Sequence, residues 1–141
     1  MVIISDTDYK GIDLIKINQI DDLRSISIKP DILNITHINN KKEYKSLLKY
    51  LKTIKGKILI VNDKNKYLKR IFLRYLDIYR YGNNIYDDIE YIKKKDKIIF
   101  KYDSKKYEIN ILDEKIFGYI IIKLLQNNNI KEVISILEKN N

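Results

Sequence analysis

Hydrophobic positions change their period several times along the chain, and each change marks an element. Val2-Ile3-Ile4, the polar stretch Ser5 to Asp8 and the run Ile12 to Ile17 predict a strand, a turn and a second strand, as in a meander or hairpin. Arg24 to Ile28 alternates polar and apolar residues, and Asp31 to Thr36 predicts a strand whose start Pro30 marks. The period then lengthens. Tyr44, Leu47, Leu48, Leu51 and Ile54 share one helical face, with Asn40 as N-cap, Glu43 as capping-box partner and Gly56 as left-handed C-cap. Lys57 to Val61 is a short β-branched run ended by Asn62-Asp63, as a buried central strand would be. Leu68, Ile71, Phe72, Tyr75, Leu76 and Tyr79 predict a second helix, stopped by Gly82-Asn83-Asn84.

Strand, helix, strand and helix in succession form a parallel crossover unit whose right-handed connection sets both helices against a sheet. Ile89 to Lys93 fits a further strand or a helix end. Lys97 to Tyr102 and Tyr107 to Ile111, joined through Asp103 to Lys106, read as an antiparallel hairpin, and Glu114 to Leu125 and Ile130 to Glu138 as two closing helices. The expected fold is therefore a single compact α/β domain over residues 1–141, with a central βαβ crossover unit, an antiparallel hairpin and two C-terminal helices. There is no internal repeat and no linker.

Composition sharpens this picture. The chain has 141 residues, 45% of them hydrophobic, and the apolar set is dominated by 30 Ile, 14 Leu and 12 Tyr with no Ala. Side chains that are stiff at χ1 or broad and flat favour strands and helix-on-sheet packing. The Ile, Lys, Asn and Tyr excess matches codon use in an AT-rich genome, a viral one included. Zero Cys excludes disulfides, thiolate zinc, iron–sulfur clusters and thiol catalysis. Asp6 precedes any signal-peptide core, and Ile116 to Leu125 is interrupted by Gly118 and Lys123 and is too short to span a bilayer. The expectation is an intracellular, cytoplasmic protein (host cytoplasm if viral) with no membrane partner.

The net charge of +9 is uneven: residues 41–80 carry 13 Lys and Arg against three Asp and Glu. A contiguous basic block attracts polyanions. Arg70, Arg74 and Arg80, three of the four Arg residues, fall on the predicted second helix, where Lys66, Arg70 and Arg74 stand at i, i+4 and i+8. Arg suits bidentate phosphate contact, Lys45, Lys49 and Lys52 of the first helix would widen the footprint, and Tyr81, with Tyr50 and Tyr79, would offer stacking surface to unpaired bases. The pattern fits best a non-enzymatic nucleic-acid-binding protein, preferring RNA or single strands.

A second constellation comes from topology, because open α/β sheets bind ligands beyond the carboxyl ends of their strands. Asp6, Thr36, His37, Asn62 and Asp63 all follow predicted strands. If those ends are neighbours, Asp6, His37 and Asp63 converge as an oxygen-rich cation site or as a general base with acidic orienters. Against that, Asn and Asp at strand ends commonly satisfy orphan amides. No catalytic residue, metal or cofactor is therefore expected. The alternative function is a binding module, or metal-independent phosphodiesterase, for a small phosphorylated nucleotide. The isolated glycines Gly11, Gly56, Gly82 and Gly118 offer no phosphate cradle. A third possibility is a structural protein, homodimeric or docked on an acidic protein partner, which bare Ile120 and Ile122 in the penultimate helix would favour.

Three short stretches resemble known motifs without completing them. Pro30-Asp31 with Glu43-Tyr44-Lys45 resembles the PD-(D/E)xK nuclease spacing, yet Glu43 to Lys45 opens a helix where that motif needs a strand. Asp6-Thr7-Asp8 resembles the paired aspartates of Toprim metal sites but lacks the preceding Glu strand. The hairpin and closing helices resemble the start of a winged-helix domain, with no recognition helix or wing after them.

Overall fold

The computed structural model describes residues 1–140. Eight strands form one mixed sheet: β1 (Ile3–Ser5), β2 (Ile15–Lys16), β3 (Ile32–Ile35), β4 (Ile58–Asn62), β5 (Asp77–Gly82), β6 (Ile89–Lys93), β7 (Ile98–Tyr102) and β8 (Lys105–Ile109). Their order is β2-β1-β3-β4-β5-β6-β7-β8. Every pairing from β2 to β6 is parallel, and β7 and β8 close the far end antiparallel. Three helices complete the domain: α1 (Lys41–Leu51), α2 (Ile116–Leu125) and α3 (Ile130–Lys139). The chain is thus an α/β domain with the expected crossover unit β3-α1-β4, a hairpin and two C-terminal helices. No described helix is long and apolar enough to cross a membrane.

Local chemistry explains most of these elements. Asn40 Oδ1 accepts from Glu43 N at 2.9 Å, and Glu43 Oε1 in turn accepts from Asn39 N at 2.8 Å, so α1 starts where the cap sits. It stops at Leu51, earlier than expected. Gly56 does take the left-handed conformation, φ +81°, but in the turn that delivers β4. The β7–β8 hairpin is tighter than expected, because Asp103 (φ 50°) and Ser104 (φ 65°) form a two-residue turn and the strands run up to it. At the end of α2, Asn127 (φ 66°) closes a Schellman motif, with Asn128 N donating to Lys123 O and Asn127 N to Leu124 O, both at 3.0 Å.

Two expectations need correction. The second helix does not form: only Leu68–Arg70 make a 3-10 turn, and Asp77–Gly82 is strand β5. Ile78 and Arg80 fall on one sheet face and Tyr79 and Tyr81 on the other, a period of two that the helical spacing of their neighbours masked. With β4 on one side and β6 on the other, the ladder satisfies this Ile- and Tyr-rich segment better than a helix would. Phe72, assigned to the helix's apolar face, is 77% exposed. The first two strands pair parallel rather than as a hairpin, through Ile4 and Ile15. Ahead of β3, Ile20–Ser25 is a 3-10 segment that drives Ile20 and Leu23 into the core.

Two apolar layers flank the sheet. On one face, α2 and α3 cover Ile3, Ile32, Ile60, Tyr81, Tyr91 and Phe100. On the other, α1 and the 3-10 segments cover Ile4, Leu33, Leu59 and Val61, and none of β6, β7 or β8 contributes there. Ile120 and Ile122 are fully buried in the first layer, contrary to the bare surface that would have favoured a partner there.

Candidate functional site: the carboxyl ends of the parallel strands

Parallel strands end on the same edge, so the residues after β1, β3 and β4 are brought together by topology alone. Asp6, just beyond β1, is the staple. Its Oδ2 accepts from Thr36 N at 2.8 Å, Thr36 Oγ1 at 3.1 Å and His37 N at 3.2 Å, fixing the end of β3 beside that of β1. Burial pushes the Asp6 carboxyl above the usual carboxylate range, against the opposing pull of those hydrogen bonds. Asn62, the last residue of β4, donates from Nδ2 to Thr36 O at 3.3 Å and accepts at Oδ1 from Lys64 N at 3.1 Å.

His37 is held between two asparagines. Asn65 Nδ2 lies 3.3 Å from its Nδ1, and Asn39 Oδ1 lies 2.6 Å from its Nε2. Both ring nitrogens therefore have a side-chain partner, and these contacts tie the loop after β3 to the one after β4.

Thr36, His37 and Asn62 line a cleft of about 550 Å³ together with Lys93 at the end of β6 and Leu112 to Lys115 before α2. A side cleft of about 160 Å³ shares Thr36, His37 and Lys115 and adds Asp6, Asn39 and Glu43. Lys64 Nζ lies 3.1 Å from Glu114 Oε1 and 4.4 Å from the centre of the Tyr91 ring, so that cation is already occupied. Lys93 and Lys115 have no carboxylate partner among the described residues. Sequence reasoning missed both, because their arrival depends on β6 joining the parallel row and on α2 starting over the strand ends.

Beneath the cleft lies a second polar group that sequence reasoning also missed. Asn34, buried in the middle of β3, donates to Ser5 Oγ at 3.0 Å and to Tyr9 OH at 3.2 Å, and Tyr9 OH donates to Lys115 O at 2.6 Å. This chain ties the start of α2 to the sheet. Gly118 makes it possible, since a Cβ there would stand 2.5 Å from Tyr9 OH and 2.8 Å from Asn34 Oδ1. Among the described residues, the buried Tyr81 hydroxyl and Asn34 Oδ1 have no hydrogen-bond partner. Burial, first among the causes, pushes all three phenols (Tyr9, Tyr81 and Tyr91) well up.

No protein-family model matches the chain, and no curated protein sequence does. The site must be judged on its own geometry.

That geometry divides the candidate residues. Asp6, Thr36, His37 and Asn62 meet at the clefts. Asp63 does not: it turns to the opposite side, where its Oδ1 lies 3.1 Å from Arg80 Nη1 and its carboxyl abuts that of Asp87. Among the described residues, no group of three or more His, Asp or Glu side chains is arranged to hold a metal ion. The nucleic-acid candidates also separate. Lys45, Lys49 and Lys52 are exposed along α1, and Lys66, Arg70 and Arg74 are exposed around the 3-10 turn without the helical stripe that had aligned them. Arg80 is tied to Asp63 and to the Ile71 carbonyl, and Tyr81 is fully buried, so neither presents itself to a phosphate or a base.

Proposed function

We propose that the protein is a binding module that takes a small phosphorylated nucleotide in the cleft at the carboxyl ends of its parallel strands. One observation carries this: Thr36, His37 and Asn62, from the ends of two adjacent strands, line one cleft with the unpaired ammonium groups of Lys93 and Lys115. Thr36 Oγ1 and the second N–H of the Asn62 amide keep hydrogen-bonding capacity beyond the bonds described, His37 shapes the wall between them, and the two lysines supply charge to a phosphate, in place of a glycine cradle. A volume of about 550 Å³ suits a ligand of nucleotide size. The engagement of both His37 nitrogens favours binding over turnover.

The test is calorimetric titration with a panel of ribonucleoside mono-, di- and triphosphates. Micromolar binding that falls about tenfold or more in Lys93→Ala and Lys115→Ala, both exposed positions, is the expected result. No binding at millimolar nucleotide, or binding indifferent to both substitutions, overturns it.

A second reading rests on a different face. The Lys66 and Arg70 cations lie 5.1 and 5.9 Å from the centre of the Tyr67 ring, and that ring meets Tyr44 of α1 at 5.8 Å. Lys45, Lys49 and Lys52 extend the same layer, a cationic and aromatic surface of the kind that tracks single strands. Binding of a labelled single-stranded RNA that is steeply salt-dependent and lost in Lys45→Glu, Arg70→Glu supports it, and binding untouched by that double substitution rejects it.

A further inference from the structure

Outside the cleft, the largest unexplained feature is the bare face of the sheet's antiparallel end. Strand register places Arg80 of β5, Glu90 and Ile92 of β6, Ile99 and Lys101 of β7, and Lys106 of β8 on one face, opposite α2 and α3. The layer of α1 and the 3-10 segments stops at the 71–76 loop, leaving a step down onto this face. At the step, two adjoining hollows of about 410 and 440 Å³ share Phe72 and Arg80.

We propose that this step and the open face of β6–β8 dock an acidic amphipathic helix of a protein partner. Apolar surface is bare there: Phe72, Tyr86 and Ile92 are 77%, 86% and 60% exposed, whereas Phe100 and Phe117 are wholly buried. Phe72 is also held in place, because the Arg80 guanidinium lies 4.6 Å from its ring centre and is itself anchored by Asp63 and the Ile71 carbonyl. A fixed, exposed aromatic ring is the form that an interface anchor takes. The open face spans β6 to β8, about 10 Å at ordinary strand spacing, which is the width of one helix. A helix laid there continues the layer that α1 begins.

Charge selects the occupant. Lys69 and Arg74 at the step and Lys101 and Lys106 on the face have no carboxylate partner among the described residues, while Asp63 is paired with Arg80 and Glu108 with Lys97. Glu90 on the face and Asp87 in the hollow are the remaining acids, so against those four cations the apolar strip is still bordered by surplus positive charge that acidic flanks on a partner helix would meet. A second copy of this chain fits worse. A two-fold axis along β7 would set Glu90 against Lys106, but it would also set Lys101 against Lys101 and Ile92 against Glu108.

The experiment titrates the 15N-labelled protein with two synthetic helical peptides that share one leucine stripe, one flanked by Glu and the other by Lys. Saturable shifts with the Glu peptide at the amides of Phe72, Ile92, Ile99 and Lys101, and none with the Lys peptide, are expected. The solvent-facing substitutions Ile92→Glu and Lys101→Glu should each weaken that binding about tenfold or more while leaving the thermal midpoint unchanged. Equal binding of both peptides, shifts centred on α1, or no binding overturns the proposal. So does a dimer in sedimentation velocity that Ile92→Glu dissociates, which would assign the face to self-association. Nucleotide titration is read at Lys93 and Lys115, so the two proposals fail independently.

Discussion

The two ends of the sheet solve the same packing problem differently. In β4, Leu59, Ile60 and Val61 are all fully buried, because consecutive side chains point to opposite faces and both faces are covered. In β7, Phe100 is buried while its neighbours Ile99 and Lys101 face the uncovered side. Burial on both faces is what lets β1, β3 and β4 end together in a rigid edge that carries the polar cleft. Burial on one face leaves a sheet surface that can still accept a layer.

Adjacent-residue substitutions should expose this difference most strongly. Leu59→Ala and Ile60→Ala should each cost about 2–5 kcal/mol in denaturant unfolding, whereas in β7 Phe100→Ala should cost about 3–5 kcal/mol and Ile99→Ala only about 0.5 kcal/mol. Equal losses at Ile99 and Phe100 would mean that the second face of the hairpin is covered after all.

Gly118→Ala comes next. In an ordinary helix the change stabilises by about 1 kcal/mol. Here the new Cβ would meet Tyr9 OH at 2.5 Å and Asn34 at 2.8 Å, so a loss of about 1–3 kcal/mol is expected, with faster hydrogen exchange in the first turn of α2. A stabilised Gly118→Ala protein would show that the Tyr9–Asn34 group is not pressed against the helix.

A smaller effect is expected where β4 and β5 end. Burial, reinforced by the adjacent Asp63 carboxyl, pushes Asp87 up to about 7. The folded protein therefore holds this proton more tightly than the unfolded chain does. The resulting stabilisation is fully present below about pH 4 and is lost as pH rises through about 7. Asp87→Asn should flatten the stability curve across that window and leave it unchanged in more acid solution. An unaltered pH profile would reject the carboxyl pair. The crowding is built in, since a Cβ on Gly82 would stand 2.7 Å from Asp87 Oδ2 and 3.1 Å from Asp63 Cβ. The least effect belongs to the hairpin turn, where Ser104→Gly relieves a left-handed residue and should stabilise by about 0.5–1 kcal/mol in thermal unfolding.

Sequence revealed what is locally encoded. Asn40 and Glu43 announce α1, Pro30 the approach to β3, and Asn62 the end of β4, because each acts on backbone groups within a turn of itself. Residues 66–82 were misread because Leu68, Ile71 and Leu76 do face one core, at spacings a helix shares with a 3-10 turn followed by a strand. Half of the site was legible for the same reason. Asp6, Thr36, His37 and Asn62 are polar residues at strand ends, and only the strand order was needed to join them. Lys93, Lys115 and the Asn34–Tyr9 link were not legible. They depend on α2 lying across strands far removed in sequence, and no local pattern records that.

The strand order has a kinetic consequence. Apart from β3, which pairs with β1 rather than with β2, each strand pairs with the one formed just before it, through to β8. From β5 onward a nascent chain can thus extend its sheet one edge at a time, with short loops to close at each step and little entropy lost between them. The face beneath α2 is the exception. Until residues 116–139 arrive, Tyr81, Tyr91 and Phe100 stay wet, so the late docking of the last two helices sets the moment at which a growing, aggregation-prone edge becomes a finished domain.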